Sequence, residues 1–445
     1  MAMGNDLRRT AVLPVPRPGV PPLPRVPKPE RFTLSNGLRV VAVQRPALPQ
    51  VAVRIILPAG AASDPPGAPG TASLTGSLVT EGTGSMSAIE LNRKVDLLGA
   101  SLCGHVGHDL AEVDLGTLAE TFDEGLHLLA DVLADAAFPE REVERVRAET
   151  LDALDARLDE PANVADDHAA QAVFGTQHPY GRLPIGTDEG VRRLSREALI
   201  EFHRSRYRPA GSVMVIAGDL GEGDLQARLE TAFARWQGSV DPPAYPDLPT
   251  SPNAGDSLLS IEWDDSPQGE IRFAGLGIPR NSPDWVTAAV ANYILGGSTI
   301  TGRLGSNLRE DKGWTYGVRS GFAAGVHPGG WIVETAVDGR VVGDAMEEID
   351  AELRRIVAEP VRDEELDRAR EALILSLPRA FESPGRIVAR LATLEAYGLE
   401  LDYWERFPER VKRVSAEEIT RIAAACFSPD RLVRVTVGPK LGPGR

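Results

Sequence analysis

Residues 140–151 read EREVERVRAETL, and residues 362–373 read RDEELDRAREAL. Each stretch starts acidic, continues with apolar residues at helical spacing, and follows another segment of helical periodicity. The two copies lie about 220 residues apart, a period too long for a solenoid and suited to a duplicated domain. Working outward from the first copy, Glu120–Ala136 lines up Phe122, Leu126, Leu129 and Leu133 on one face of an amphipathic helix. Pro139 then opens a longer helix to about Leu158. Upstream, Ala100–Thr117 carries Val106, Leu110, Val113 and Leu115 in alternation and predicts two strands. Ser87–Leu98 predicts a helix with Ser87 as N-cap and Glu90 completing a capping box. Thr71–Thr80 predicts a short helix, Gln50–Pro58 a strand, and FTLSNGLRVVAVQRP at 32–46 a hairpin about Asn36-Gly37. Downstream, SVMVIAGD at 212–219 is a buried-type strand.

The second copy sits in a similar order of elements. Strands are expected within Ser257–Gly275 and Trp314–Val337, and helices at Trp285–Gly296, Gly343–Val357 and Val361–Leu377. The fold class is therefore α+β: two homologous domains, each a mostly antiparallel sheet flanked by helices. Pro242, Pro243, Pro246, Pro249 and Pro252 mark a break between them. The expected divisions are a proline-rich arm at 1–29, an N-terminal domain at 30–237, a linker at 238–256 and a C-terminal domain at 257–445. In the arm, prolines recur from Pro14 to Pro29 and oppose the apolar helix that a secretory signal needs. A cytoplasmic location is the resulting expectation.

The 445 residues include 42% hydrophobic and 25% charged side chains, as in globular proteins, and the net charge of −16 disfavours nucleic acid and anionic membranes as partners. Cys103 and Cys426 lie near opposite ends among small or apolar neighbours, which predicts two buried free thiols rather than a disulfide. The seven histidines do not form a metal-binding pattern. His105 and His108, three apart in a strand, point to opposite faces. His168 follows Asp166 and Asp167 on what reads as a solvated helix face, and His178 precedes Pro179 in a loop where it caps or packs. No nucleophile elbow, Walker A loop or C-x-x-C pair is present.

The ordered segments FTLSNGLRVVA (32–42), ILPAGAASD (56–64), GTASLTGSLVTEGT (70–83) and HPYGRLPIGT (178–187) resemble the N-terminal half of insulinase-type (pitrilysin) metallopeptidases. RLGSNLREDKGWTYGV (303–318) resembles their C-terminal half. That family binds zinc through H-x-x-E-H on a helix, with a further glutamate from a later helix. Here the matching run is Ser73-Leu74-Thr75-Gly76-Ser77, and Glu149 matches the later glutamate. Serine hydroxyls are poor zinc ligands and glycine cannot act as a base, so no metal and no catalytic residue are expected in this chain. Glu149 is then a solvated or salt-bridged helix residue.

The resemblance also implies that Arg309 and Tyr316 match an arginine–tyrosine pair that binds substrate in the family's active chamber. Two-subunit members divide the work, so the implied role is a non-catalytic, substrate-binding subunit, inactive alone. Its partners would be a catalytic H-x-x-E-H subunit holding the zinc, and unfolded peptides. The alternative is a non-enzymatic scaffold of the same fold. Gly296-Gly297 reads as a helix C-cap.

Overall fold

A computed structural model describes residues 26–246, 248, 258–263 and 266–440. Most of the proline-rich arm, and part of the expected linker, lie outside them. The chain opens with strands β1 (Glu30–Thr33), β2 (Arg39–Gln44) and β3 (Gln50–Leu57), then helix α1 (Thr71–Leu78). A two-residue hairpin pair, β4 (Gly82–Thr83) and β5 (Met86–Ser87), leads to α2 (Ala88–Leu97). Ser87 and Glu90 form the capping box that their spacing predicts. Next come β6 (Ser101–Val106), β7 (Ala111–Leu118), α3 (Phe122–Ala134), α4 (Glu140–Leu158), α5 (Pro161–Phe174) and β8 (Val213–Gly218). The second half contributes β9 (Leu258–Glu262), β10 (Gln268–Leu276), β11 (Val318–Phe322), β12 (Gly330–Asp338) and β13 (Val433–Gly438), with helices between them.

The duplication is visible strand by strand. The first sheet runs β1-β2-β8-β3-β7-β6 and the second β9-β13-β10-β12-β11. In each, one parallel pair (β2 with β8, β9 with β13) is followed by antiparallel pairings out to a free-edged strand, β6 or β11. The α+β architecture of two similar domains is thus the observed one. Among the described residues, no helix is long and apolar enough to cross a membrane.

Strand β8 is buried at all six positions, and the reason crosses the domain boundary. Met214 and Ile216 face the first half's own helices, beside Phe122, Leu126 and Leu129 of α3. Val213, Val215 and Ala217 face the other way, with Val41, Val43 and Ile56, into a core that holds Ile387, Val388 and Leu391 of the second half. Those three residues belong to the helix Pro384–Ala396, which packs on β3 and β8. The exchange is reciprocal. Helix α5 of the first half lays Ala165, Ala169 and Val173 on Ala274, Val433, Val435 and Val437 of the second sheet. Continuous apolar strands, such as VMVIAG, are what a sheet covered on both faces requires.

Each exchanged helix is also pinned by charge. Glu395, on the Pro384–Ala396 helix, pairs with Arg31 and, at 3.6 Å, with Arg39. Asp166 on α5 receives Arg272 of β10 at 2.6 Å. Asp167 pairs with Arg157 at 2.6 Å. The acidic face before His168 is therefore ion-paired, Asp166 across the boundary to β10 and Asp167 within the first half to α4, rather than the solvated surface expected from sequence.

At the centre of the seam sits Asp109, only 8% exposed, in the β6–β7 turn. Its carboxylate accepts hydrogen bonds from Tyr180 Oη (2.7 and 2.9 Å), Tyr245 Oη (2.7 Å) and the Val326 N–H (3.0 Å). These donors come from the HPYG turn, the connecting segment and the second half. His178 caps that turn, its Nδ1 accepting from the Tyr180 N–H, as the sequence suggested.

Burial of an aliphatic side chain is worth about 1.5–3 kcal/mol, so uncovering the six residues on the outer face of the first sheet would cost on the order of 10 kcal/mol, comparable with the whole stability of a domain. A fragment comprising residues 30–237 is accordingly expected to aggregate or to lack a cooperative melting transition, while the full chain melts as one unit. Independent cooperative folding of that fragment, measured by calorimetry, would contradict the exchange as a stability requirement.

Candidate substrate-binding site

Gly70 caps the start of helix α1, where the Asp64 carboxylate accepts from the N–H groups of Gly70 (2.8 Å) and Ala72 (2.7 Å). Burial pushes the Asp64 carboxyl up to about 6, against the pull of those two donors. Ser77 is exposed and Ser73 half-buried, whereas Gly76 is buried. A Cβ on Gly76 would lie 2.3 Å from Val106 Cγ2, and one on Gly104 of β6 would lie 2.2 Å from the Gly76 carbonyl oxygen. The helix therefore rests directly on β6, backbone against backbone. A side chain at the position that would carry a general base would have to displace Val106.

Glu149, on α4, is exposed and salt-bridged, as expected. Its carboxylate pairs with Arg145 at 2.9 Å. Arg145 also holds Glu142 at 2.7 Å and, from just beyond α1, Glu81 at 2.8 Å. One guanidinium thus collects the acidic groups beside the α1–α4 contact. These hydrogen bonds to three carboxylates raise the Arg145 pKa further above its ordinary value.

The second candidate group lies on a short helical segment before β11. Arg309 belongs to a π-helical stretch, Ser306–Asp311, that continues the turn Arg303–Gly305. Leu304 and Leu308 are fully buried and anchor it. Arg303 forms a two-pronged pair with Glu365 (2.9 and 3.0 Å), and Asn307 donates to Glu348 and Glu352 (both 2.9 Å). After the helix, Gly313 turns the chain at φ +65°, so that its N–H reaches the Arg309 carbonyl and the Trp314 N–H reaches that of Leu308. Thr315 is tied to Gly317 and Thr335 by hydrogen bonds of 2.9–3.0 Å.

Between these fixed points Tyr316 projects into solvent, 92% exposed. The Arg309 side chain is more than one-third exposed, its Nε 3.7 Å from Glu310. A tyrosine kept for packing would be inside; this one is held outside by neighbours that are themselves immobilised. The π-helical turn Tyr293–Gly297 ends at Gly296-Gly297, with Gly296 buried against Ser320 and Leu304. That close packing, rather than a C-cap, explains the glycine.

A cavity of about 530 Å³ opens between the halves, lined by His105, Glu112, Phe174, Tyr180, Trp331 and Tyr397 among others. Cys426 is buried as expected, but Cys103 is exposed. On β6 the odd-numbered residues alternate outward from α1, so Cys103 and His105 share the open face. The C-x-H spacing in a strand was the available signal for this pairing. Cys103 Sγ lies 3.4 Å from His105 Nε2.

Two outcomes follow from this geometry. Gly76→Ala should cost about 1–3 kcal/mol by overpacking, and Val106→Ala should relieve part of that cost in the double variant; urea titration of the four proteins measures it. Glu365→Gln should cost about 3 kcal/mol, because Arg303 is left buried without its partner. Burial opposes ionisation of Glu365, yet Arg303 and Arg362 outweigh it and hold the carboxyl at about 2, below its ordinary 4.5. The unfolded chain therefore binds that proton more tightly. The stabilisation is complete above pH 4.5 and fades as the pH falls towards 2, a slope that Glu365→Gln should flatten.

Residues 39–183 match the family model for insulinase (peptidase family M16), and residues 193–373 match the M16 inactive domain. An uncharacterized zinc protease of Mycobacterium leprae is 25% identical over 399 residues, covering 88% of each chain. A probable mitochondrial-processing peptidase subunit beta of Schizosaccharomyces pombe is 26% identical over 275 residues, 61% of this chain and 59% of that one. Among solved structures, a peptidase M16 inactive domain from Pseudomonas fluorescens superimposes with a TM-score of 0.87 at 26% identity, covering 94% of this chain and 99% of that one. A chain of complex III from Candida albicans shares the fold at a TM-score of 0.76 and 17% identity, covering 92% and 95%. With two family models spanning most of its length, and serine, glycine and serine where the metal-binding motif would stand, this chain belongs to the insulinase (M16) peptidase family as a member that lacks the catalytic motif.

Proposed function

We propose that this chain is the non-catalytic, substrate-binding subunit of a heteromeric, cytoplasmic zinc metallopeptidase that cleaves unfolded peptides. The observation that carries this reading is an asymmetry. The helix that would hold a metal is closed against β6 by Gly76, while Arg309 and Tyr316 are offered to solvent from a rigid support. Guanidinium and phenol are donors suited to a peptide carbonyl and to the oxyanion formed when water adds to it. A partner subunit with H-x-x-E-H would hold the zinc, which supplies the polarised water. Arg309 and Tyr316 would approach the scissile carbonyl from the opposite wall and orient it. The free edge of β6 offers unpaired backbone groups to an extended peptide.

The decisive experiment co-expresses the chain with an H-x-x-E-H homologue from the same host and assays cleavage of an unstructured peptide. Neither chain alone should turn over; the pair should. Arg309→Ala is expected to lower kcat/KM of the pair about 100-fold, and Tyr316→Phe to a lesser extent, without change in melting temperature. Chelator-sensitive cleavage by this chain alone would refute the proposal. Full activity of both variants in the complex would favour a scaffold role instead.

A further inference from the structure

Strands β6 and β7 pair Cys103 with Asp114 and His105 with Glu112. Because alternate residues share a face, all four side chains project from the same side of the sheet, away from α1. The Cys103, His105 and Asp114 donor atoms lie within 4.8 Å of one another. A tetrahedral zinc with bonds of about 2.3 Å to sulfur and about 2.0 Å to nitrogen separates those two ligands by about 3.6 Å. The observed separation of Sγ and Nε2, 3.4 Å, is close to that edge. An Asp114 oxygen lies no more than 4.8 Å from either atom, against an edge of about 3.3–3.6 Å for a tetrahedral third ligand.

Arg54, on β3 opposite Asp114, sets the charge of this group. Its Nε and Nη2 donate to the two Asp114 oxygens at 2.7 and 2.6 Å, and its Nη1 pairs with Glu112 at 2.8 Å. It holds both carboxylates on the one face while leaving lone pairs on each. Two carboxylates, one guanidinium and one thiolate sum to −2, the complement of a divalent cation. Sulfur, imidazole and carboxylate together select a borderline-soft ion such as zinc over magnesium or calcium.

We infer that Cys103, His105 and Asp114, with Glu112 or water in the fourth position, form a binding site for a thiophilic divalent cation on the free-edge strand. This site lies on β6–β7 and is separate from the family's metal position on α1 and α4. Binding releases the Cys103 thiol proton to solvent and forms sulfur–metal and nitrogen–metal bonds. His105 and Glu112 also line the cavity between the halves, so the ion would sit at its mouth.

The test uses the full-length chain, stripped of metal and titrated with cobalt(II) alone, then with zinc in competition. One equivalent of cobalt should produce a thiolate-to-cobalt charge-transfer band, which zinc abolishes. Cys103→Ser should eliminate the band, and His105→Ala should weaken zinc binding by about tenfold or more. Both residues are exposed, so neither variant threatens the fold. Glu149→Gln should leave binding unchanged, which separates this site from the α1–α4 position. Absence of the band in the unmodified chain, its survival in Cys103→Ser, or its loss in Glu149→Gln would each overturn the assignment.

Discussion

Neither sheet of this protein can cover its own outer face. The central strands of each are apolar on both sides, and the helices that follow in sequence close only one. The remaining face is covered by a helix from the other half: Pro384–Ala396 on the first sheet and α5 on the second. Every other feature of the architecture sits within that reciprocal arrangement. The all-buried pattern of β8, the small residues of α5 and the arginine–carboxylate pairs at both helices answer one requirement, which is to bring two similar units together in a single register.

The polar centre of the seam performs a complementary task. Apolar contact is tolerant of small sliding motions, because its energy depends on area rather than direction. The three donors converging on Asp109 are directional, and they come from segments distant in sequence. A buried carboxylate satisfied this way fixes the alignment that the apolar faces alone would leave loose. The loop carrying Tyr316 shows the same logic on a smaller scale. Buried leucines anchor the segment, while hydrogen bonds from Asn307 and Thr315 fix its orientation.

Much of the fold was legible because it is encoded locally. The capping box at Ser87, the apolar face of α3 and the two related helices at 140 and 362 depend on residues a few positions apart. The loss of the metal motif was legible for the same reason. What escaped was set by long-range contact. The role of Ala165, Ala169 and Val173 emerges only when the second sheet is placed against them. Asp166 and Asp167 read as solvated until Arg272 and Arg157 arrive. Cys103 looked like a core thiol because its neighbours are small and apolar, yet strand alternation turns it outward. The exposure of Tyr316 likewise depends on the tertiary position of its loop.

The contact between Gly76 and Gly104 has a structural consequence. Where a helix and a strand lie backbone to backbone, the missing motif is kept out by shape as well as by chemistry. Histidines alone would supply ligands without a base, and an acidic side chain at the middle position would first have to displace the Val106 side chain. Placing a carboxylate there would call for a smaller residue at 106 as well as the new side chain at 76. The packing therefore ties the identity of residue 76 to the spacing of α1 and β6, so that neither can change without the other.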